Sequence, residues 1–342
     1  MAAWALRTRG FDVEVLERTS IMRETSAAST KLLHGGLRYL EHGSFRLVRE
    51  ALAERSWWLA QAPGLCHPIE LLLPIRKPSP RSRWKVQVGL WLYDQLAGKH
   101  LIHPFRWIPR EEVVSGFPEL QPQGLVGAFS FWDAQMDDHA LGLWAAARAQ
   151  EAGVRIREQC PVDAVGTDGF VRIAGATRGF DVVVNVAGPW IDELLRRSGV
   201  RSAYQLDLVR GSHLVTSRPC RRGVLAEVPR ERRIGFVLPW KGGTLVGTTE
   251  VRQDAADGSR CSEQEADYLR KFYGSVMVEP MRDSEIIGSF AGVRPLIRSS
   301  RDPSKASREY AIERSGRLIN VFGGKWTTAR ALADRIAEEA CR

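Results

Sequence analysis

A chain of 342 residues with 44% hydrophobic and 26% charged residues carries enough apolar side chains for a large core, which excludes wholesale disorder. The net charge of +9 favours anionic partners, but the basic residues are spread along the chain without a nucleic-acid-binding motif. Five scattered cysteines argue against a disulfide framework or a zinc site, and no apolar run reaches the roughly 18 residues that a membrane span needs. These features predict a cytoplasmic protein that does not bind nucleic acid.

The first elements predict the second half of a nucleotide-binding βαβ unit. Residues 2–9 form a helix ended by Gly10, and residues 12–17 alternate as a strand that ends at the acid Glu17. In a Rossmann unit this acid binds a ribose hydroxyl, and a strand and a Gly-x-Gly-x-x-Gly turn precede the helix. No such turn stands before Met1. We therefore expect weak dinucleotide binding and an incomplete sheet edge, whether the chain is a fragment, has a mis-assigned start or works without this loop.

The rest of the chain alternates between helical and strand patterns. Helices are predicted over 44–62, 83–98, 137–153, 189–197, 262–276 and 325–341, with a capping box at Ser262 and Glu265. Strands are predicted over 69–75, 127–133, 153–158, 162–166, 170–174, 180–185, 285–294, 307–314 and 318–322, with a strand-rich region at 206–249. Nucleotide-type elements occur at both ends and in the middle, so we predict two interleaved domains.

Two strands are followed by glycine turns. In NVFGGKWTTAR a strand ends at Gly323-Gly324, and a helix is predicted to start at Lys325. Free amides at a helix start favour negative charge, and glycine lets a planar ligand approach the backbone, as the pyrimidine ring of a reduced flavin requires. NVAGPW repeats the pattern at Ala187-Gly188. The alternative for both segments is a purely structural turn.

Three further segments carry candidate site residues. STKLLHGGLRY combines small residues with His34, Arg38 and Tyr39, and either lines a bulky ligand or forms a glycine-rich surface loop. Arg294 ends one strand and Arg308 begins the next, so two guanidinium groups are predicted to clamp a phosphate. His213 lies in a strand, where a structural histidine is more common than a catalyst.

These segments together resemble the FAD-dependent glycerol-3-phosphate dehydrogenase family. STKLLHGGLRYLEHGSFRLVREALAER, LWLYDQLAG, WDAQMDDHAL, NVAGPW, RGSHLV, GTTE, GVRPL and FGGKWTTAR occur in the order and approximate spacing of that family. The resemblance runs through nearly the whole chain. It implies a flavoprotein that oxidises sn-glycerol 3-phosphate to dihydroxyacetone phosphate and passes electrons to membrane quinone.

The resemblance also implies roles for individual residues. FAD would be bound by Glu17, Ser26, Ser29, Leu32, His34, Gly35, Gly36, Val162, Ala187, Gly188, Gly324, Lys325, Trp326 and Thr327. The substrate would be bound by Arg38, Tyr39, His213, Arg294, Arg308 and Lys325. Catalysis is assigned to His213, Arg294, Lys325 and Tyr39, with His213 as the proton acceptor and Lys325 as the cation beside the reduced flavin; Arg294 is the rival acceptor.

The expected fold is α/β, with a Rossmann-like FAD-binding domain interleaved with a mixed-sheet substrate domain, as in D-amino-acid oxidases. Residues 1–65, 150–205 and 285–342 are assigned to the FAD-binding domain, and residues 66–149 and 206–284 to the substrate domain. Expected partners are a small phosphorylated substrate and a quinone, with a homodimer left open. The alternatives are a flavin-dependent oxidase of an amine or another hydroxy acid, and a non-catalytic truncated remnant.

The segment 81–107 raises the question of membrane contact. It combines Arg81, Arg83, Lys85 and Lys99 with Trp84, Leu90, Trp91 and Leu92. A basic helix with aromatic residues on its other side is typical of a peripheral membrane contact, here at the inner face of the cell membrane. The alternative is a helix packed on the core with solvated charges.

Overall fold

The computed structural model describes residues 1–78, 81–231, 233–254, 256, 258–298 and 310–342. Its helices are α1 Ala2–Thr8, α2 Phe45–Gln61, α3 Arg83–Ala97, α4 Arg110–Gly116, α5 Asp138–Glu151, α6 Ile191–Ser198, α7 Glu263–Val276 and α8 Ala329–Ala340. Its strands are β1 Glu14–Leu16, β2 Leu32–Leu33, β3 Cys66–Arg76, β4 Arg106–Pro109, β5 Leu125–Met136, β6 Arg155–Arg157, β7 Ala164–Val165, β8 Phe170–Ile173, β9 Ala176–Gly179, β10 Val183–Asn185, β11 Leu206–Thr216, β12 Gly223–Glu227, β13 Ile234–Trp240, β14 Gly243–Gly247, β15 Val251–Gln253, β16 Ile286–Ile297, β17 Tyr310–Ser315 and β18 Leu318–Gly323.

A large mixed sheet forms the centre of one half of the fold. Its strand order is β15-β11-β14-β13-β12-β3-β5-β2, with β16 beside β11 and β4 beside β5. Because side chains alternate between the faces of a sheet, β3 sends Leu72 into a core with α4 and α7, and sends Leu71 and Leu73 into a core with α2 and α3. The sheet is therefore covered by helices on both faces.

The other half of the fold contains two small parallel strand pairs. Strand β1 pairs with β6, and β10 pairs with β18, which also pairs antiparallel with β17. Helices α1 and α8 pack over these strands around Leu6, Ile319 and Ile336. Within the described residues, β1 and β10 each pair on one side only. Val182 and Val184, in and next to β10, are half-buried.

Several boundaries differ from the sequence predictions. Helix α8 begins at Ala329 rather than at Lys325, because residues 324–328 form an irregular turn held by tertiary contacts. Strand β16 runs antiparallel to β11 along its length and so lies in the large sheet, although 285–342 was assigned to the FAD-binding domain. The capping box of Ser262 and Glu265 is confirmed, whereas Ser44 occupies the N-cap of α2 without a side-chain bond. In the described part of the chain, no helix has the length and apolar character needed to cross a bilayer.

Candidate active site

One cavity of about 1660 Å³ extends from the open edges of β1 and β10 to the large sheet. Most residues predicted for the cofactor or the substrate line it: Glu17, Ser26, Ser29, Leu32, His34, Gly36, Arg38, Tyr39, Val162, Ala187, Gly188, Arg294, Gly324, Lys325, Trp326 and Thr327. Gly35 and His213 lie behind its wall, and Arg308 lies outside the described residues.

A buried ion pair fixes the small-residue segment of this wall. The ammonium of Lys31 lies 2.6 Å from an oxygen of Asp138 and donates to the carbonyl of Ala27 at 2.8 Å. The second oxygen of Asp138 accepts bonds from the amide and hydroxyl of Ser29 at 3.0 and 2.7 Å. Both charged residues are almost fully buried, at 5% and 0% exposure. The start of α5 therefore determines where residues 26–31 lie.

A second buried network holds the glycine pair. The amide of Gly35 donates to the Tyr93 hydroxyl at 2.7 Å, and that hydroxyl donates to Asp133, which is paired with Arg55 at 2.7 Å. Burial, together with the charge of Asp133, raises the pKa of Tyr93 well above its ordinary value. A Cβ atom at Gly35 would lie 2.5 Å from side-chain atoms of Leu52 and Tyr93. The structure thus gives Gly35 a packing role behind the cavity wall.

The turn after β18 packs directly against this segment. The Trp326 indole donates to the carbonyl of Ser26 at 2.6 Å, and the amide of His34 donates to the Thr327 hydroxyl at 3.2 Å. The Lys325 ammonium lies 3.9 Å from the centroid of the Tyr39 ring, at a distance typical of a cation–π contact. These contacts bring two segments far apart in sequence into one wall, with Lys325 and Tyr39 side by side.

The other end of the cavity is formed by loops that follow β1 and β10. A Glu17 carboxylate oxygen accepts a bond from the amide of Thr19 at 2.9 Å. The side chain of Asn185 accepts from the amide of Ala187 at 3.2 Å, which shapes the turn. Gly188 has a φ of +56°, and a Cβ atom there would meet nothing within 4 Å, so the backbone is open to a ligand.

Arg294 reaches the cavity from strand β16. One of its terminal nitrogens donates to the Thr248 hydroxyl at 2.7 Å, and the other lies 3.5 Å from the carbonyl of Thr249. Arg233 also lines the cavity and donates to the carbonyl of Thr248 at 2.7 Å. The wall thus carries guanidinium groups as well as the Lys325 ammonium, a composition suited to an anion.

His213 does not face the cavity directly, which departs from the role that the resemblance implies. Its ring is fully buried, stacks on Phe290 with centroids 4.8 Å apart, and lies with Nε2 3.0 Å from the Thr30 hydroxyl. Burial first, and then the positive charges of Arg294 and Lys31, lower the pKa of His213 well below its ordinary value. This shift favours the neutral imidazole, and Nε2 is linked to the cavity through Thr30, which lines it.

Comparison with known proteins establishes the family. Residues 1–339 match the family model described as FAD dependent oxidoreductase. The chain belongs to this family. It is 35% identical to D-erythritol 1-phosphate dehydrogenase of Brucella abortus over 96% of this chain and 68% of that protein. It is also 35% identical to glycerol-3-phosphate dehydrogenase of Pseudomonas aeruginosa, over 95% of this chain and 66% of that protein.

Solved structures confirm the predicted fold class. Glycerol-3-phosphate dehydrogenase from Bacillus halodurans, complexed with FAD, superposes with a TM-score of 0.77 at 25% identity, over 99% of this chain and 62% of that one. L-α-glycerophosphate oxidase from Mycoplasma pneumoniae, also with FAD bound, gives a TM-score of 0.77 at 20% identity and supports the fold alone. The chain spans about two thirds of the length of the curated relatives named above.

The match to a family of FAD-dependent oxidoreductases confirms FAD, the cofactor predicted from the sequence. The residues present fit it at both ends of the cavity. At one end Gly324, with a φ of +98°, and Lys325 form a turn suited to a planar ring system that gains negative charge. At the other end Glu17 and the open backbone at Gly188 suit the ribose and the dinucleotide.

Sequence reasoning missed the residues that hold this wall in place. Lys31 and Asp138 stood inside the quoted segments STKLLHGG and DDHAL, but their partnership spans 107 residues and no local pattern reveals it. Asp137 is the residue that caps α5, and Asp138 follows it in the first turn. Thr248 lies in the segment GTTE, which contains two threonines. The sequence does not indicate which of their hydroxyls faces Arg294, and the structure shows that it is that of Thr248.

The buried pair yields a stability prediction. Lys31→Met leaves the Asp138 carboxylate buried without its cation, so the free energy of unfolding is expected to fall by about 3–5 kcal/mol in urea titrations. The control is Lys241→Met, which removes a pair with the adjacent Asp137 at 2.8 Å in which Lys241 is 66% exposed. That change is expected to cost about 1 kcal/mol or less. Equal losses in the two variants would contradict the structural role given to Lys31.

Proposed function

We propose that this chain oxidises sn-glycerol 3-phosphate to dihydroxyacetone phosphate, with hydride passing from C2 to N5 of FAD and electrons then passing to a quinone or another acceptor. One observation carries the proposal: Arg294 and Lys325 lie on the wall of one cavity, beside a glycine turn suited to a flavin. Burying a dianionic phosphate without more than one cation would cost many kcal/mol. Arg38, which lines the same cavity, is proposed as a further phosphate ligand, as is Arg308.

The residues around the cavity have distinct proposed roles. FAD, when bound, supplies the hydride acceptor. We assign the C2 hydroxyl proton to a relay in which Thr30 Oγ1 receives it and passes its own proton to Nε2 of His213, 3.0 Å away. The negative substrate offsets the charge of Arg294 and so raises the proton affinity of that imidazole. Arg294 itself stays charged at ordinary pH and is better suited to binding than to accepting a proton. Lys325, held against Tyr39, would place a positive charge beside the flavin when FAD is bound.

A second candidate substrate is D-erythritol 1-phosphate, because the Brucella dehydrogenase of that substrate is as similar to this chain as the Pseudomonas enzyme. The two substrates share a phosphoester and a secondary alcohol, so the same cations and the same relay would serve either. A hydroxy-acid or amino-acid substrate would bring only the single charge of a carboxylate to these cations, whereas a phosphoester brings two, and a simple amine would bring none. The proposal is therefore a polyol phosphate, with glycerol 3-phosphate as the first choice.

The reaction is tested by flavin reduction. The chain is reconstituted with FAD under anaerobic conditions, and glycerol 3-phosphate is expected to bleach the flavin absorbance. Arg294→Met is expected to lower kcat/KM with a dye acceptor by about 100-fold, the scale of a lost charged hydrogen bond in a desolvated site. Arg298→Met is the matched control, because Arg298 is 56% exposed and paired at the surface with Asp207.

The same experiment separates the rivals. If D-erythritol 1-phosphate bleaches the flavin and glycerol 3-phosphate does not, the substrate is still a polyol phosphate, but it is D-erythritol 1-phosphate. Bleaching by glycine derivatives but by neither phosphoester would establish an amine oxidase. A fully flavin-loaded protein that no substrate reduces would be the non-catalytic remnant.

We also propose that helix α3 contacts an anionic membrane surface. Its buried residues Val86, Leu90 and Tyr93 pack on the core, as the core-helix alternative predicted. Its outer face carries Trp84, Val88 and Trp91 at exposures of 73%, 53% and 53%. These three positions follow helical spacing, so they form one exposed apolar stripe. Arg83 and Lys85, both exposed, flank the stripe with positive charge.

Membrane contact is tested by co-sedimentation with phosphatidylserine-containing vesicles at low salt. The double variant Trp84→Ser and Trp91→Ser is expected to lose most of the binding, since it removes the side chains that would insert at the interface. Ile287→Ser is the control, because Ile287 is equally exposed, at 66%, but lies on a strand of the large sheet. Unchanged co-sedimentation of the double variant, or equal loss in the control, would contradict the proposal.

A further inference from the structure

We infer that Thr248, itself fixed by Arg233, is a positioning residue that holds the Arg294 guanidinium in its substrate-binding orientation. The inference rests on the proposed function only for the identity of the substrate. The arrangement itself is given by the hydrogen bonds that join Arg294 of β16, the turn after β14 and Arg233, the residue just before β13.

The guanidinium of Arg294 lies close to Gly211 of the neighbouring strand β11. A Cβ atom at Gly211 would lie 2.4 Å from a terminal nitrogen of Arg294 and 2.7 Å from the Thr248 hydroxyl oxygen. Glycine at this position of β11 therefore gives the guanidinium and the hydroxyl the room to meet. Their bond of 2.7 Å is short and charge-assisted, so it fixes the direction in which Arg294 points.

Thr248 is in turn held through its backbone. Arg233 donates to the carbonyl of Thr248 at 2.7 Å, while its other nitrogens lie 3.1 Å from the Tyr268 hydroxyl and 3.2 Å from Glu250. A guanidinium with three separate anchors is a rigid support for that carbonyl. Thr248 is therefore held at its carbonyl by Arg233, while its hydroxyl accepts a hydrogen bond from Arg294.

The next residue, Thr249, connects the turn to strand β11 and helix α7. The Thr249 hydroxyl accepts from the amide of Ser212 at 2.8 Å and donates to Glu265 at 2.7 Å. Burial alone would raise the pKa of Glu265, but hydrogen bonds lower it to about 2. The donors are Thr249, Ser212, the backbone of Ser262 and Arg210. Glu265 therefore stays ionised as an acceptor. The turn 248–250 is clamped between Arg233 on one side and the start of α7 on the other, so Arg294 rests on a preformed surface.

The test compares hydroxyl deletion with hydroxyl retention. Thr248→Val removes the acceptor of the Arg294 bond with little change in shape, and Thr248→Ser keeps it. Thr244→Val is the matched control, since Thr244 is a buried threonine of the adjoining strand β14 whose hydroxyl bonds the carbonyl of Arg218 at 2.7 Å outside the cavity. Crystal structures without substrate give the guanidinium position, and kcat and KM for glycerol 3-phosphate are measured on the FAD-loaded protein.

We expect the guanidinium to leave its position in Thr248→Val and in Arg233→Met, with kcat/KM lower by about 10- to 100-fold. Thr248→Ser is expected to keep the wild-type position of the guanidinium and a kcat/KM within about threefold of the wild-type value. Thr244→Val is expected to keep the wild-type position and kinetics. An unmoved guanidinium in Thr248→Val or in Arg233→Met would overturn the inference. A wild-type protein that does not oxidise glycerol 3-phosphate would instead overturn the proposed function, while the crystal structures would still decide the positioning role.

Discussion

The site depends on one buried ion pair. Lys31 and Asp138 connect the segment that lines the cavity to the first turn of α5, and both charges are removed from water. Ions in that condition are tolerated only where partners satisfy them, and here the carbonyl of Ala27 and the hydroxyl of Ser29 complete the set. This constraint fixes residues 26–31. The adjoining residues 34–39 can then meet the turn at Lys325.

The electrostatics of the cavity follow from that placement. Arg294 and Lys325 line the same cavity, and burial, together with the positive charges of Arg294 and Lys31, lowers the pKa of His213. A neutral imidazole behind a hydroxyl that faces the cavity is an arrangement suited to accepting a proton once a negative ligand has arrived. A dianionic phosphoester would therefore both satisfy the cations and prepare the acceptor. The family to which the chain belongs supplies the redox partner, FAD.

Much of this was predictable from the sequence, because the strongest signals are local. The glycine turns at Gly188 and Gly324 both lie on the cavity wall, and the capping box at Ser262 forms as predicted. What the sequence did not reveal depends on distant partners. Helix α8 starts late because Trp326 and Thr327 bond to Ser26 and His34 instead of continuing a helix.

Other differences have the same origin. The resemblance implies that His213 meets the substrate, but Phe290 and Thr30, from two other segments, cover its ring. Gly35 resembled a cofactor contact, yet Leu52 and Tyr93 explain its lack of a side chain. Strand β16 lies in the large sheet because it pairs with β11, and the sequence does not reveal this pairing because the two strands are far apart in the chain. Local patterns predict elements and turns, whereas burial and facing direction are decided by long-range packing.

The most direct measurement of the central claim is a crystal structure of the FAD-loaded protein with glycerol 3-phosphate bound. The account predicts one substrate molecule with oxygen atoms within about 3 Å of both the Arg294 guanidinium and the Lys325 ammonium. A substrate bound elsewhere, or one that contacts neither cation, would contradict it.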